Sequence, residues 1–218
     1  MSRQLSAEGA QLEVPLTPGL VISSNMKVKP GVYRLPGADG KPALTIRGSN
    51  LTLDLTGVTI EGGEPYGDPD VYAGVGIEID GGDHVTIKAG AIRGYKVAVS
   101  ARTSPFLHLT GLDLSYNWKQ RLWSGIEKES LLDWMSYHDN EKDQWLRYGA
   151  AIYLSECDDA EIDRSRATQG QNGLMVTRSA RLKIWNNDFS YLSSIGLGMY
   201  RTTDSLVAHN KFDYDVRG

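Results

Sequence analysis

Only one cysteine, Cys157, occurs in the 218 residues, which excludes an internal disulfide framework and any zinc site built from several thiolates. Basic residues are scarce as well: 23 lysines and arginines against 27 acids give a net charge of −4, so nucleic acid is excluded as an expected partner. No apolar run approaches the roughly 18 residues of a membrane span, so no membrane partner is expected. The opening stretch, MSRQLSAEGAQLEVPLTPG, lacks the apolar h-region of a signal peptide. A secreted or periplasmic location therefore implies a signal outside the sequence given. The length fits one sizeable core or one elongated repeat domain.

What the chain does have is self-similarity. AIYLSECDDAEIDRSRA, LMVTRSARLKIWNNDF and LGMYRTTDSLVAHNKF follow one another at steps of 22 or 23 residues. Their apolar positions correspond: Ile152, Leu154, Ile162 and Ala167, then Leu174, Val176, Ile184 and Phe189, then Leu197, Met199, Val207 and Phe212. VAVSARTSPFLHLTGLDL, GIEIDGGDHVTIKAGAI and ALTIRGSNLTLDLTGVTI extend the pattern backwards, making six units. Within each unit apolar and polar residues alternate over short β-rich runs parted by turn residues, the pattern of three short strands. Such a unit cannot bury its own apolar face, so units must stack strand on equivalent strand. The expected fold is an all-β, right-handed parallel β-helix of about six coils over residues 43–218, with residues 1–42 as an N-terminal segment and cap.

Residues not used in the alignment test it. Stacking predicts an outward column Asp113, Arg166, Asp188, Lys211 on the third strand and another, His108, Glu161, Lys183, on the second; alternating charge in such columns is favourable. Asn187 and Asn210 recur in the turn before the third strand, where an asparagine can satisfy turn backbone groups.

With its L-x-I-x-x-N-x-F form in LKIWNNDF, the degenerate copies of that form, and MKVKPGVYRLPG ahead of the first unit, the sequence resembles the parallel β-helix repeat families. These are the pectate-lyase-like superfamily and in particular NosD-like repeat proteins, and the likeness covers about residues 27–217. The resemblance implies the fold. For function it implies a range, because the same stack hosts polysaccharide lyases, hydrolases, epimerases, adhesins and non-catalytic periplasmic proteins.

Two stretches break the repeat. From Leu114 to Ala167 is 53 residues where 22 are expected, placing an insertion at about 117–148, and a smaller one lies at 63–74. Both fall between a third strand and the next first strand, so both are expected beside the column of first strands, and insertions that share a face often mark a binding face. Four of the five tryptophans lie in the longer insertion. SLLDWMSY is expected to form one or two helical turns with Ser130 as N-cap. Trp118, Trp123 and Leu132 are expected to pin the insertion to the stack. Trp134, Tyr137 and Trp145, set among polar residues, are expected to be partly exposed and suited to stacking on sugar rings.

The wall beneath this loop supplies the candidate chemistry. One expected outward column is Thr45, Glu78, Ala98, Tyr153, Met175, Gly198, and its neighbour is Arg47, Asp80, Ser100, Ser155, Thr177, Tyr200. Small Ala98 between Glu78 and Tyr153 would leave a shallow recess. Glu78 and Asp80, two positions apart on one strand, have carbons about 6.6 Å apart, near the span of an inverting glycosidase pair, although an Arg47–Asp80 surface ion pair is the plainer reading of Asp80. Candidate catalytic groups are therefore Glu78, Asp80 and Tyr153 on the wall, with His138 and Asp139 reaching over from the loop. Arg102, Arg178 and Arg201, in turns after first strands, could hold uronate carboxylates; Trp134, Tyr137, Trp145 and Tyr200 complete the candidate substrate-binding set.

Specific motifs of related enzymes are missing. ECDD at 156–159 falls in a turn and does not match the polygalacturonase pattern, and GDPD at 67–70 only echoes the epimerase tetrapeptide DPHD. Asp68 and Asp70 could lend oxygens to calcium, though a solvated acidic turn suffices. The histidines at 84, 108, 138 and 209 fall on different faces, so no metal site and no resident cofactor are expected. DYDVRG ends the sequence directly after a third strand, which leaves an uncapped coil open to end-to-end self-association or to further coils. Two functions stand: a carbohydrate-active protein that processes a polysaccharide by a lyase, hydrolase or epimerase reaction along the first-strand wall, or a non-catalytic carbohydrate-binding or NosD-like accessory module.

Overall fold

The structure, a computed structural model, describes residues 13–130 and 139–215. Among the described residues every strand ladder is parallel. The strands form a seven-stranded, an eight-stranded and a three-stranded sheet, each made of equivalent strands from successive turns of the chain. This is the parallel β-helix. In the seven-stranded first sheet, Ile152 pairs with Leu174 and Leu174 with Leu197, the 22- and 23-residue steps read from the sequence. Asp113, Arg166, Asp188 and Lys211 bridge one to the next in that order, and His108, Glu161 and Lys183 share a row of the second sheet. The 53-residue step from Asp113 to Arg166 is thus one coil like any other with a long excursion inside it.

Among the described residues the stack holds seven coils, one more than the six repeat units read from the sequence. Leu20–Ile22, Met26–Val28 and Gly31–Arg34 pair with Leu44–Ile46, Leu51–Asp54 and Val58–Glu61, so a full coil precedes Ala43, within the segment expected to be a cap. Its apolar spacing is masked by Pro15, Pro18 and Pro30 in its turns. The third strand is continuous only in the first three coils and shrinks to a single bridge in the later four. There, side chains take over backbone bonding. Ser165 N donates to Asn187 Oδ1 at 3.0 Å, Asn187 Nδ2 donates to Ile162 O at 2.8 Å and to Asn210 Oδ1 at 3.0 Å, and Asn210 Nδ2 donates to Ile184 O at 2.8 Å. The asparagine ladder anticipated from sequence is therefore present.

Inside the coils runs one cylinder of leucine, isoleucine and valine, from Ile22 through Leu44, Ile77, Val99, Ile152 and Leu174. Each such side chain contributes on the order of 1.5–3 kcal/mol by leaving water. The outermost coil instead leaves Met199, Leu206 and Val207 exposed at 38%, 57% and 41%. No helix among the described residues is long and apolar enough to cross a membrane.

Asn187→Ala removes a 2% exposed side chain, orphans the Ser165 amide and takes a donor from the Ile162 carbonyl, so it should lower stability by about 2 kcal/mol. Urea unfolding followed by circular dichroism measures this; an unchanged midpoint would show that the ladder is dispensable.

Candidate functional site

The first-sheet wall differs from expectation at one strand. Ser100, not Ala98, pairs with both Glu78 and Tyr153, and Arg102 pairs with Asp80 and Ser155. The two outward columns are therefore Thr45, Glu78, Ser100, Tyr153, Met175, Gly198, and Asp80, Arg102, Ser155, Thr177, Tyr200. The cause is a break in alternation. In Val97–Arg102 both Ala98 and Val99 join the inner core, while Val97 belongs to an outer apolar cluster; Ala150, Ala151 and Ile152 repeat the arrangement in the next coil. Gly76 permits it in the coil before, since a Cβ there would stand 2.7 Å from the Ala98 carbonyl oxygen. Strict alternation from Val97 misplaces every later residue of the strand by two. The Ala98 recess does not exist, and Arg102 stands on the wall itself rather than in the turn.

The long insertion settles onto this wall. Trp145, expected to be partly exposed, is 6% exposed and packs with Val97, Tyr148, Ala150, Tyr153 and Met175 in the outer cluster. Gly198 makes room, since a Cβ there would lie 3.4 Å from the indole and 2.8 Å from the Met175 methyl. Trp118 anchors the insertion as expected, donating to Asp70 O at 3.0 Å beneath the Lys96 ammonium. Trp123, expected to do the same, is 71% exposed. Asp68 is an exposed acid that caps its own turn, and Asp70 fastens the neighbouring loop. Asp68 accepts from the Asp70 amide and Asp70 from the Arg121 amide, which ties the two insertions together. Trp134, Tyr137, His138 and the expected SLLDWMSY helix lie wholly or largely outside the described residues. Nearby, Gln144–Tyr148 forms a short 3-10 turn.

At the centre stands Asp143, which sequence reading passed over. Its Oδ1 accepts from Tyr153 Oη at 2.6 Å and Arg178 Nη2 at 3.0 Å, and its Oδ2 from Arg102 Nη1 at 2.9 Å. Arg178 also donates to Ser155 Oγ at 2.9 Å and to the Asn140 carbonyl at 3.0 Å; Asn140 donates to Tyr153 Oη at 2.9 Å and accepts from the Trp145 amide at 3.0 Å. A second clamp holds Glu141 between Tyr200 Oη, at 2.8 Å, and the Arg201 guanidinium. Burial alone would raise the Asp143 carboxyl, but bonds from Tyr153, Arg178 and Arg102 outweigh it and hold it below the usual carboxylate range. Burial, then Asp143, pushes the Tyr153 phenol well above its ordinary value. Arg102, Arg178 and Arg201, expected to wait for a uronate, are already paired with loop carboxylates. A signal for this existed: three arginines on one wall require acids, and DNEKD overhead supplies them.

The remaining candidates divide. Asp80 pairs with Arg47 at 3.6 Å, both more than half exposed. Glu78 is half-buried beside Thr45 and Ser100 and has no ion pair among the described residues. Asp139 is exposed at the start of the resumed loop.

The chain matches, over residues 53–218, the family described as "Periplasmic copper-binding protein (NosD)". It belongs to the NosD family. No curated protein matches the chain. Among solved structures, the crystal structure of the enzymatically active domain of tailspike protein 2 from bacteriophage CBA120 is similar over 90% of this chain at 8% identity with a TM-score of 0.49; the chain spans 33% of that domain. Membership of the NosD family raises copper, and the donors among the described residues do not fit it. Among the described residues no three His, Cys, Asp or Glu side chains converge on a metal position. Cys157 is buried, its thiol facing the Ala101 and Ser155 carbonyls, and burial raises it to about 11, away from the thiolate a metal needs. Met175 is packed in the outer cluster, and His108 is bonded to Asp163 at 2.9 Å.

Asp143→Asn should cost about 2 kcal/mol and free the insertion, read as faster proteolysis between residues 117 and 148 at pH 7. Because the folded carboxyl lies below its unfolded value, the parent's protection should hold above about pH 4 and fade as pH drops through the lowered folded value, whereas the variant should lack that acid step. Equal cleavage of the two proteins at pH 7 would deny Asp143 this role.

Proposed function

We propose that this NosD-family protein is a periplasmic, non-catalytic β-helix module that binds a polysaccharide or oligosaccharide at the border of its first-sheet wall. The observation that carries the reading is the Asp143 cluster. A general acid or base must present a free proton or lone pair within reach of substrate. The hydroxyl of Tyr153, a residue 0% exposed, instead bonds Asn140 and Asp143, and the arginines that would steady a developing enolate are held by carboxylates of the chain itself. Chemistry that needs a prepared nucleophile or oxyanion site finds its parts employed in fastening the loop. What stays open is suited to recognition: half-buried Glu78, Asp80 beside Arg47, and exposed Asp139 can exchange hydrogen bonds with sugar hydroxyls without further preparation. The periplasmic assignment rests on the family description.

Incubation with uronate and neutral oligosaccharides should yield no new reducing ends and no absorbance at 235 nm, while calorimetry detects binding to at least one member of the panel. Glu78→Gln should weaken that binding several-fold. Turnover of any glycan, abolished by Glu78→Gln, would make the protein an enzyme and end this reading.

A further inference from the structure

The turn that leaves the third strand places one residue in the left-handed region, two positions beyond the core-facing residue of that strand. After Leu114, Ala167, Phe189 and Phe212 that residue is Tyr116, Gln169, Tyr191 and Tyr214, with φ of 60°, 57°, 58° and 59°. Tyr66, in the smaller insertion, has φ 56° and lies edge-on to Tyr116, ring centres 5.1 Å apart. Tyr191 and Tyr214 stack at 4.9 Å with 14° between their planes. A bulky side chain is a poor choice for this backbone, which glycine or asparagine takes at less cost. Most other left-handed positions of the chain carry polar residues or glycine. Nor do these rings fill a core, for Tyr66, Tyr116, Tyr191 and Tyr214 are 68%, 39%, 54% and 78% exposed.

We infer that this tyrosine stripe is the track on which an extended glycan lies, with Tyr66 and Tyr116 as one stacking platform, Tyr191 and Tyr214 as a second, and exposed Gln169 as a polar saddle between them. The inference rests on the saccharide-binding reading above and gives it a location and a ligand length. Equivalent residues in neighbouring coils are about 4.8 Å apart, so Tyr116 and Tyr191, two coils apart, are separated by about 10 Å along the axis. A periodic row of rings, each with an apolar face and a polar hydroxyl, matches a linear polymer whose units repeat the same two features. The stripe flanks the corner from which both insertions leave, so it borders the first-sheet wall. Arg93, held by an ion pair with buried Glu61, donates to the Tyr66 hydroxyl at 3.2 Å and so fixes the orientation of that ring at one end of the stripe. Two platforms on one rigid scaffold make the second contact intramolecular once the ligand spans both.

The test is calorimetric titration with oligogalacturonates and cello-oligosaccharides of two to eight units, using the parent, Tyr66→Ala/Tyr116→Ala and Tyr191→Ala/Tyr214→Ala. Affinity of the parent should climb with chain length and level off once both platforms are bridged. Each double variant should lose about tenfold on long ligands and little on disaccharides. Tyr→Phe pairs at the same positions preserve the rings, guard against loss of fold and should retain most of the affinity, with circular dichroism unchanged. A parent that binds these ligands while the alanine variants bind equally well overturns the stripe and leaves the saccharide reading standing. Affinity independent of length does the same. A parent that binds no member of either series overturns the saccharide reading and the stripe with it.

Discussion

Everything in this molecule depends on one backbone constraint: a parallel ladder between equivalent strands obliges each coil to repeat the path of its neighbour. The amide of one strand bonds the carbonyl of the next at a fixed rise, so residues 22 or 23 positions apart become neighbours and their side chains form rows. An apolar row inside continues the core, and a row outside gains or loses according to the charges set beside each other. The Asp113, Arg166, Asp188, Lys211 row alternates in sign for that reason, and the asparagine ladder passes its bonds from coil to coil for the same reason.

Excursions from this path can leave only at corners, where no ladder bond is broken. Once the Trp-rich insertion leaves, it has its own polar backbone to satisfy and little core with which to do so. The wall supplies what it lacks: a glycine-cleared apolar seat for Trp145 and a set of fixed cations around Asp143. Because Arg102 ends one ladder strand and Arg178 directly follows another, the loop is positioned by the most rigid part of the fold. The same contacts engage the phenol and guanidinium groups that would otherwise have been the best candidates for chemistry. Fastening and catalysis compete for one set of side chains, and here fastening holds them.

Much of the stack was legible in the sequence because its signal is periodic: Ile152, Leu174 and Leu197 recur at the coil length, and the charged rows confirm the register independently. The first coil was hidden by prolines at its turns. The strand Val97–Arg102 was misread because Ala98 and Val99 both face inward, and a period of two carries no warning of such a break. The candidate site was less legible. Tyr153 and Tyr200 were found because they stand on periodic strands, and Arg102 and Arg178 because they lie where such strands end, but their partners Asp143 and Glu141 lie in an aperiodic loop. Its pairing is decided by how the loop folds back rather than by spacing, and the same is true of the burial of Trp145 and the exposure of Trp123.

The corner between Leu114 and Ala167 has a consequence for how such a scaffold changes over generations. About thirty additional residues pass through it while Asp113 and Arg166 stay in register. Each doubling of a flexible connection costs only about 0.6 kcal/mol in closure entropy. Ornament and framework are thus nearly decoupled: new surface can be spliced in at this hinge point without renegotiating the coils on either side, and lineages sharing one stack are free to diverge in what they recognise.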